Sequence, residues 1–252
     1  MRILLSGFDG AMGREVTKLA ETGYCAAEIC AGVDINASGT ETFAGHNIPV
    51  AKSFAAAEKD VDVIVDFSHH SLTADMTKFA ADNGIRLVVA TTGQTDEEKD
   101  MIKAAAEKIP VFFAANYSMG IAILIELAKK TAALMPDAEV EIVEVHHDRK
   151  IDAPSGTALA IAEGIKQTRP DSEIVCGRSG MKKREHSDIG ISSVRIGNVA
   201  GIHEVLIGTN NQTITLKHEA HNRALFAEGA LSAAAWLMKQ PAGLYDMNNL
   251  IR

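Results

Sequence analysis

Arg2-Ile3-Leu4-Leu5-Ser6-Gly7-Phe8-Asp9-Gly10-Ala11-Met12-Gly13 follows the first methionine. An apolar run leads into glycines spaced G-x-x-G-x-x-G, and an amphipathic stretch with Val16, Leu19 and Ala20 comes next. The order predicts strand, glycine turn, helix. Glycines let the backbone approach a pyrophosphate whose charge rests on a helix N-terminus, and the third lets the helix pack closely on the sheet. By itself such a loop also reads as a plain tight turn. A second apolar run, Ile29 to Val33, ends in Asp34 about twenty residues after the last glycine, where an acid binds the adenosine ribose hydroxyls. Loop and acid together predict a dinucleotide-binding domain, with Gly7, Phe8, Asp9, Gly10, Ala11, Met12 and Asp34 at the cofactor. Asp9 is discordant, because a carboxylate beside a pyrophosphate has to turn outward to solvent.

Working outward, short apolar runs alternate with helical patterns: Val61 to Phe67, then Leu72 to Ala81; Leu87 to Ala90, then Glu97 to Lys108; and finally Val111 to Ala114. Alternating β and α with buried strands is the pattern of a parallel, doubly wound α/β sheet of Rossmann type. Ligands to such sheets bind beyond the carboxyl ends of the strands. The turns Asp66-Phe67-Ser68, Ala90-Thr91-Thr92-Gly93 and Ala114-Ala115-Asn116-Tyr117 fall there and are expected to line the nicotinamide half of the cofactor. Asp34 is followed by Ile35 and Asn36, and the loop carries Ala11, so no neighbouring cation stands ready for a ribose 2′-phosphate. An unpaired carboxylate facing that dianion costs on the order of 1 to 3 kcal/mol, about one to two decades of affinity. NADH is therefore the expected cofactor, with NADPH as the second choice.

After Tyr117 the pattern changes. A long helix, a strand over Glu139 to Val145, a helix opening at Ser155 and further strands over Ile191 to Ile196, His203 to Ile207 and Thr213 to Lys217 predict a second, α+β domain with a mostly antiparallel sheet and helices on one face. Its uncovered face, with Val194, Val205 and Ile214, is a candidate subunit interface, although core packing on the helices explains the same pattern. His203, His218 and His221 read as surface or satisfied polar residues. Ala224 to Met238 is again helical, and Gly243-Leu244-Tyr245-Asp246-Met247 lies near the end of the chain.

Within this second half, His146-His147-Asp148-Arg149-Lys150-Ile151-Asp152-Ala153-Pro154-Ser155-Gly156-Thr157-Ala158 carries the chemistry. Neighbouring strand residues face opposite sides, so both imidazoles serve one site only if the strand ends there. Ser155 reads as the N-cap of a helix, and Lys150 adds positive charge to a helix start that attracts a carboxylate or phosphate. His146, His147 and Asp148 in direct succession cannot easily point at one ion, so no metal is expected. Histidine titrates near neutrality and a partly buried lysine can be brought toward it, which points to proton transfer.

A net charge of −8 over 252 residues disfavours nonspecific binding to nucleic acid or anionic membrane, Lys182-Lys183-Arg184 notwithstanding. Three cysteines without a C-x-x-C pair, and an N-terminus that enters a strand directly, fit a cytoplasmic protein.

The two motifs, the Ala115-Asn116-Tyr117-Ser118 turn and the Gly243 to Met247 stretch together resemble the 4-hydroxy-tetrahydrodipicolinate reductase (dihydrodipicolinate reductase) family over essentially the whole length. The resemblance implies NAD(P)H-dependent reduction of a cyclic, unsaturated imine dicarboxylate with loss of its 4-hydroxyl as water, in diaminopimelate and lysine biosynthesis. It places His146 and Lys150 at the catalytic positions, and His147, Ser155, Gly156 and Thr157 at the substrate carboxylate. It places Gly7 to Met12, Asp34, Ala90, Thr91, Thr92, Ala114, Ala115, Asn116 and Tyr117 at the cofactor. It further implies a dinucleotide-binding domain over 1–117, a substrate and tetramerisation domain over 118–224, and a segment over 225–252 that returns to the first domain. Closure about the two connections is expected to bring cofactor and substrate together. Many members carry a basic residue where this chain has Ala11, and another after the ribose acid, which strengthens the NADH expectation. Which of His146 and Lys150 gives the proton stays open at the level of sequence. Two other readings share parts of the pattern: an amino-acid or aspartate-type dehydrogenase on the same dinucleotide fold, and a nicotinamide-sensing binding module.

Overall fold

The computed structural model describes residues 1–37 and 39–252, which divide into two compact units: Met1–Ser118 with Arg223–Arg252, and Met119–Asn222.

In the first unit, β1 (Arg2–Ser6) passes through the glycine loop into α1 (Ala11–Glu21) and β2 (Glu28–Val33). A hairpin of β3 (Thr40–Phe43) and β4 (His46–Ala51) follows, then β5 (Val63–Asp66), α2 (Thr73–Asn83), β6 (Arg86–Val89), α3 (Asp96–Ala106) and β7 (Pro110–Phe113). Apart from antiparallel β3, the strands are parallel, and the chain order reverses at β1: β2 pairs on one side of it and β5 on the other. That reversal opens a crevice beyond the carboxyl ends of β1 and β5, where ligands of such sheets bind. Alternate residues of each strand feed opposite faces. Leu4, Ile64, Leu87 and Val89 pack with Met76 and Phe79 of α2 and Ile102 of α3, all within 8% of full burial. Thr95 and Glu98 form a reciprocal capping box that fixes the start of α3. The β3–β4 hairpin carries no pattern that the sequence reading above recognised, because its short strands are interrupted by Pro49 and by the Ala44-Gly45 turn.

The second unit runs α4 (Met119–Leu134), β8 (Glu139–His146), α5 (Gly156–Lys166), β9 (Glu173–Cys176), β10 (Asp188–Arg195), β11 (Gly201–Thr209) and β12 (Gln212–Ala220), in the sheet order β12-β11-β8-β10-β9. The expectation of a mostly antiparallel sheet is corrected here. β8, β9 and β10 are mutually parallel where they pair, and β11 runs antiparallel to both of its neighbours, β8 and β12. The reason is connectivity: α5 supplies the crossover that parallel pairing of β8 and β10 requires, whereas β11 and β12 are joined by a tight turn. Val205 is also corrected. It is fully buried with Ile142, Ile161 and Ile207 against the helices, while Val194 stays 42% exposed.

The chain then returns to the first unit as α6 (Ala224–Leu237), β13 (Gly243–Tyr245) and α7 (Met247–Leu250). α6 packs on α1 and on β5, β6 and β7, and β13 extends the sheet beyond β7.

Candidate active site

β8 shows how one strand face can serve two purposes. Val140, Ile142, Glu144 and His146 alternate with more exposed neighbours and are all buried. The first two join the apolar core, and the last two form its polar end. The register sets Ser193 of β10 and His203 of β11 beside Glu144, Arg195 beside His146, and His218 of β12 beside His203. Strict alternation thus sets Glu144 on the face of Val140 and Ile142, opposite Glu139 and Glu141, so it turns inward rather than to solvent with them.

A fully buried carboxylate is strongly unfavourable unless its oxygens are occupied by charge-assisted donors. Those of Glu144 are. Oε1 accepts from Arg195 Nη2 at 2.8 Å and from the Ser155 amide at 3.2 Å, while Oε2 takes Arg195 Nη1 at 2.9 Å and His146 Nδ1 at 2.5 Å. Burial pushes the Glu144 pKa up, but hydrogen bonds from Arg195, Ser193 and His146 outweigh it and hold the group at about 2. His203 stands edge-on to His146, ring centroids 5.1 Å apart, and its Nε2 lies 3.3 Å from Ser155 Oγ. Burial first, and then the neighbouring His146, lower the His203 pKa to about 4, so this ring is neutral near pH 7. Its Nδ1 is buried without a hydrogen-bond partner.

The strand ends at His146, and the following turn builds the rest. The His147 amide bonds Val199 O at 2.8 Å, and the Lys150 amide closes the turn on His147 O at 3.1 Å. Lys150 Nζ pairs with Asp152 Oδ1 at 2.8 Å, which holds the Asp152 carboxyl below its usual range. Ser155 caps α5 by accepting the Ala158 amide at 3.1 Å. The first turn of α5 carries no acidic residue, and a Cβ on Gly156 would meet nothing within 4 Å, so the helix start stands open. His146, the Lys150 turn and the Ser155-Gly156-Thr157 helix start thus converge at one end of the sheet.

The first unit carries the other predicted set at the reversal of strand order. Gly7 adopts φ +79°, and a Cβ on Gly13 would sit 2.2 Å from Gly7 O and 2.4 Å from Phe8 O, so the tight loop over the start of α1 excludes any side chain there. Gly10 caps α1 without a side-chain hydrogen bond, and the first turn holds no acid. Such a bare helix start, with backbone brought close by glycine, fits the pyrophosphate of a dinucleotide. Asp34 anchors the loop, since its carboxylate accepts the Asp9 amide at 3.0 Å and the Asn36 amide at 2.9 Å. Burial and then the Asp34 and Glu41 charges raise the Asp9 pKa, with Arg14 offsetting part of it. The discordant Asp9 thus contributes its backbone amide to Asp34.

Asp66, 1% exposed at the end of β5, ties two of the predicted turns together through Ser68 Oγ at 2.5 Å and Thr91 Oγ1 at 2.6 Å. Ala90 is held to the same place by its amide on Asp66 O, and Thr92 follows Thr91 in an exposed position. Ala114, Ala115 and Asn116 follow β7, and Asn116 Oδ1 accepts the Ser118 amide at 2.8 Å. Tyr117 is 2% exposed, with its hydroxyl donated to Val89 O and Phe112 O, so its ring and hydroxyl belong to the core. Among the described residues no group of three or more histidine, cysteine, aspartate or glutamate side chains is arranged to hold a metal ion.

Glu144, Arg195 and His203 escaped the sequence reading. The His203 expectation is corrected: it is neither on the surface nor fully satisfied, at 4% exposure and with a bare Nδ1. Strand register sets Arg195 and His203 beside this end of β8, whereas Glu144 was available from the sequence as the residue at i−2 from His146, on the same strand face.

Two family descriptions account for nearly all of the chain. "Dihydrodipicolinate reductase, N-terminus" matches residues 1–117, and "Dihydrodipicolinate reductase, C-terminus" matches residues 120–251. The chain belongs to the dihydrodipicolinate reductase family. Among curated members, the 4-hydroxy-tetrahydrodipicolinate reductase of Caldanaerobacter subterraneus subsp. tengcongensis is 40% identical over 100% of this chain and 98% of its own. The protein of the same name from Methanoregula boonei is 33% identical over 99% and 97%. Among solved structures, a dipicolinate-bound dihydrodipicolinate reductase from Paenisporosarcina sp. TG-14 superposes with a TM-score of 0.81 at 28% identity, covering 98% of this chain and 97% of its own. A probable dehydrogenase from Thermotoga maritima, at TM-score 0.63 and 9% identity over 99% and 92% of the two chains, shares the fold alone. With its family the chain is a nicotinamide-dependent oxidoreductase on a Rossmann-type fold.

Proposed function

We propose that the chain reduces 4-hydroxy-tetrahydrodipicolinate to tetrahydrodipicolinate with loss of water, using its glycine loop for the cofactor and the polar end of the second sheet for the substrate. The observation that carries this reading is the meeting, at that end, of a histidine on a buried carboxylate, a lysine turn and an open helix start. A cyclic dicarboxylate requires two anion contacts. The α5 start, with Ser155, Gly156 and Thr157, supplies one, and Lys150 and His147 supply charge and hydrogen bonds for the rest. Binding a substrate carboxylate to Lys150 exchanges its Asp152 partner for the ligand, a trade of like for like.

Gly7, Phe8, Gly10, Ala11, Met12 and Asp34, with the turns at Ala90 to Thr92 and Ala114 to Asn116, would hold the cofactor, which would supply the hydride. Carbanion character on the neighbouring ring carbon then calls for a proton, which we assign to His146 at Nε2, because its Nδ1 is committed to Glu144 and Lys150 is taken up in this reading by the substrate carboxylate. NADH is the preferred form in this reading. Asp34 stands with Asp9 and Glu41 in an acidic neighbourhood that a 2′-phosphate dianion would have to enter.

We further assign a homotetramer assembled through the sheet face opposite α4 and α5. Val194 on that face is 42% exposed, beside the half-buried Val143, Val145 and Leu206. The free cysteines Cys25, Cys30 and Cys176 fit a cytoplasmic setting. No helix among the described residues is long and apolar enough to cross a membrane.

The test is nicotinamide oxidation, with NADH and NADPH in parallel, on substrate made in situ by a synthase from pyruvate and aspartate semialdehyde. Oxidation that depends on the synthase supports the reading, and silence with both cofactors removes it. Light scattering on the same sample decides the tetramer.

A further inference from the structure

Glu144 is buried, ionised and made rigid by more contacts than structure alone asks of a strand residue. A carboxylate offers about four acceptor positions. Here all are filled, two on each oxygen, by Arg195, the Ser155 amide and His146. The Arg195 fork is itself fixed, since Nη2 also reaches Asp152 O at 2.5 Å. The carboxylate can neither rotate nor donate.

We infer that Glu144 is a positioning residue: it holds a proton on His146 Nδ1 in both charge states of the ring, which leaves Nε2 as the atom that exchanges a proton with substrate. This rests on the functional reading above. An ionised carboxylate only accepts, so the nitrogen facing it at 2.5 Å has to be the donor. Gly201 completes the arrangement from β11. A Cβ there would come within 3.1 Å of His146 Nε2, so glycine keeps that atom clear. The charged and titratable groups around the ring are Glu144 on its own strand, Arg195 on β10, His203 on β11 with His218 beside it on β12, and Lys150, whose charge reaches His203. His203, its pKa lowered by burial, is neutral near pH 7. The same carboxylate takes the Ser155 amide, so the proton donor and the anion-binding helix start are set by one group.

Two experiments decide it. Nitrogen-15 NMR of the wild-type full chain, with His146 assigned through a His146→Gln variant, is expected to show the proton of the neutral ring on Nδ1. A proton on Nε2 overturns the inference without any change to the protein. In the synthase-coupled assay, Glu144→Gln is expected to lower kcat about 10 to 100-fold with the KM for NADH unchanged. The alkaline limb of the kcat profile is expected to move to lower pH by about one unit, because the charged ring loses its counter-ion. Glu144→Asp, which keeps the charge, is expected to restore the wild-type limb in part. A folded Glu144→Gln enzyme with wild-type kcat and an unshifted limb overturns the inference. If Glu144→Gln does not fold, the wild-type tautomer decides alone. Absence of wild-type oxidation counts against the functional reading, whereas the tautomer reports on Glu144 in either case.

Discussion

The glycine loop after β1 and the polar end of β8 are two ways of making a place for negative charge. The loop does so with almost no side chains: Gly7, Gly10 and Gly13 bring backbone amides forward, and a single carboxylate, Asp34, holds the loop by its Asp9 amide. The end of β8 does so mainly with side chains, beside the backbone start of α5, and its central group is itself an anion, neutralised by Arg195. A backbone site is specified by what is missing, and a side-chain site by what is adjacent across strands. The two therefore fail differently under mutation.

The sharpest break should come at the side-chain site. His146→Gln or Lys150→Ala is expected to lower turnover roughly 10² to 10⁴-fold while NADH titrates as before. Near-normal turnover in both variants removes the assignment of catalysis to this end. At the backbone site the damage should be to structure. Gly13→Ala places a methyl 2.2 Å from Gly7 O, where only backbone can give way. A loss of about 1 to 3 kcal/mol in denaturant unfolding is expected, together with weakened NADH binding. Unchanged stability and affinity would show that the loop yields more readily than its geometry implies.

Acid should separate the two regions next. The folded pKa of Glu144, about 2, lies below its ordinary 4.5, so its stabilisation is present above pH 4.5 and is lost as pH falls toward 2. His203 is depressed from 6.5 to about 4, so the unfolded chain binds its proton first, and stability also falls between pH 6.5 and 4. Thermal unfolding followed from pH 7 downward should therefore weaken in two overlapping steps, and His203→Asn should flatten the upper one. An unchanged upper step would mean that His203 is already charged in the folded protein. The smallest effect is expected at Asp34. Asp34→Ala removes an anchor of the loop together with the proposed ribose contact, so both cofactors should weaken, NADH by about tenfold more than NADPH. Equal losses would leave Asp34 as an anchor alone.

The first unit was largely legible before the structure because its signals are local. Apolar runs, glycine spacing and an acid at the end of β2 occur along one stretch of chain, and β1, β2, β5, β6 and β7 lie within a few residues of their expected places. The β3–β4 hairpin and β13 were not legible, being short strands that owe their existence to an available sheet edge. In the second unit every element but β9 was foreseen, though not the pairing, and the expected antiparallel sheet proved mixed.

By itself, the sequence determined a Rossmann-type domain followed by an α+β domain and the cofactor class, and it singled out His146, Lys150 and Ser155 to Thr157 as candidate site residues, because each is encoded by neighbours along the chain. Tertiary structure alone decided that the apolar face of β8 turns inward and carries Glu144 with it, that Arg195 from β10 neutralises it, and that His203 from β11 stands against His146. The last two contacts join residues 51 and 57 positions apart. A side chain's neighbours across a sheet depend on how strands align, and alignment is settled only when the whole core packs.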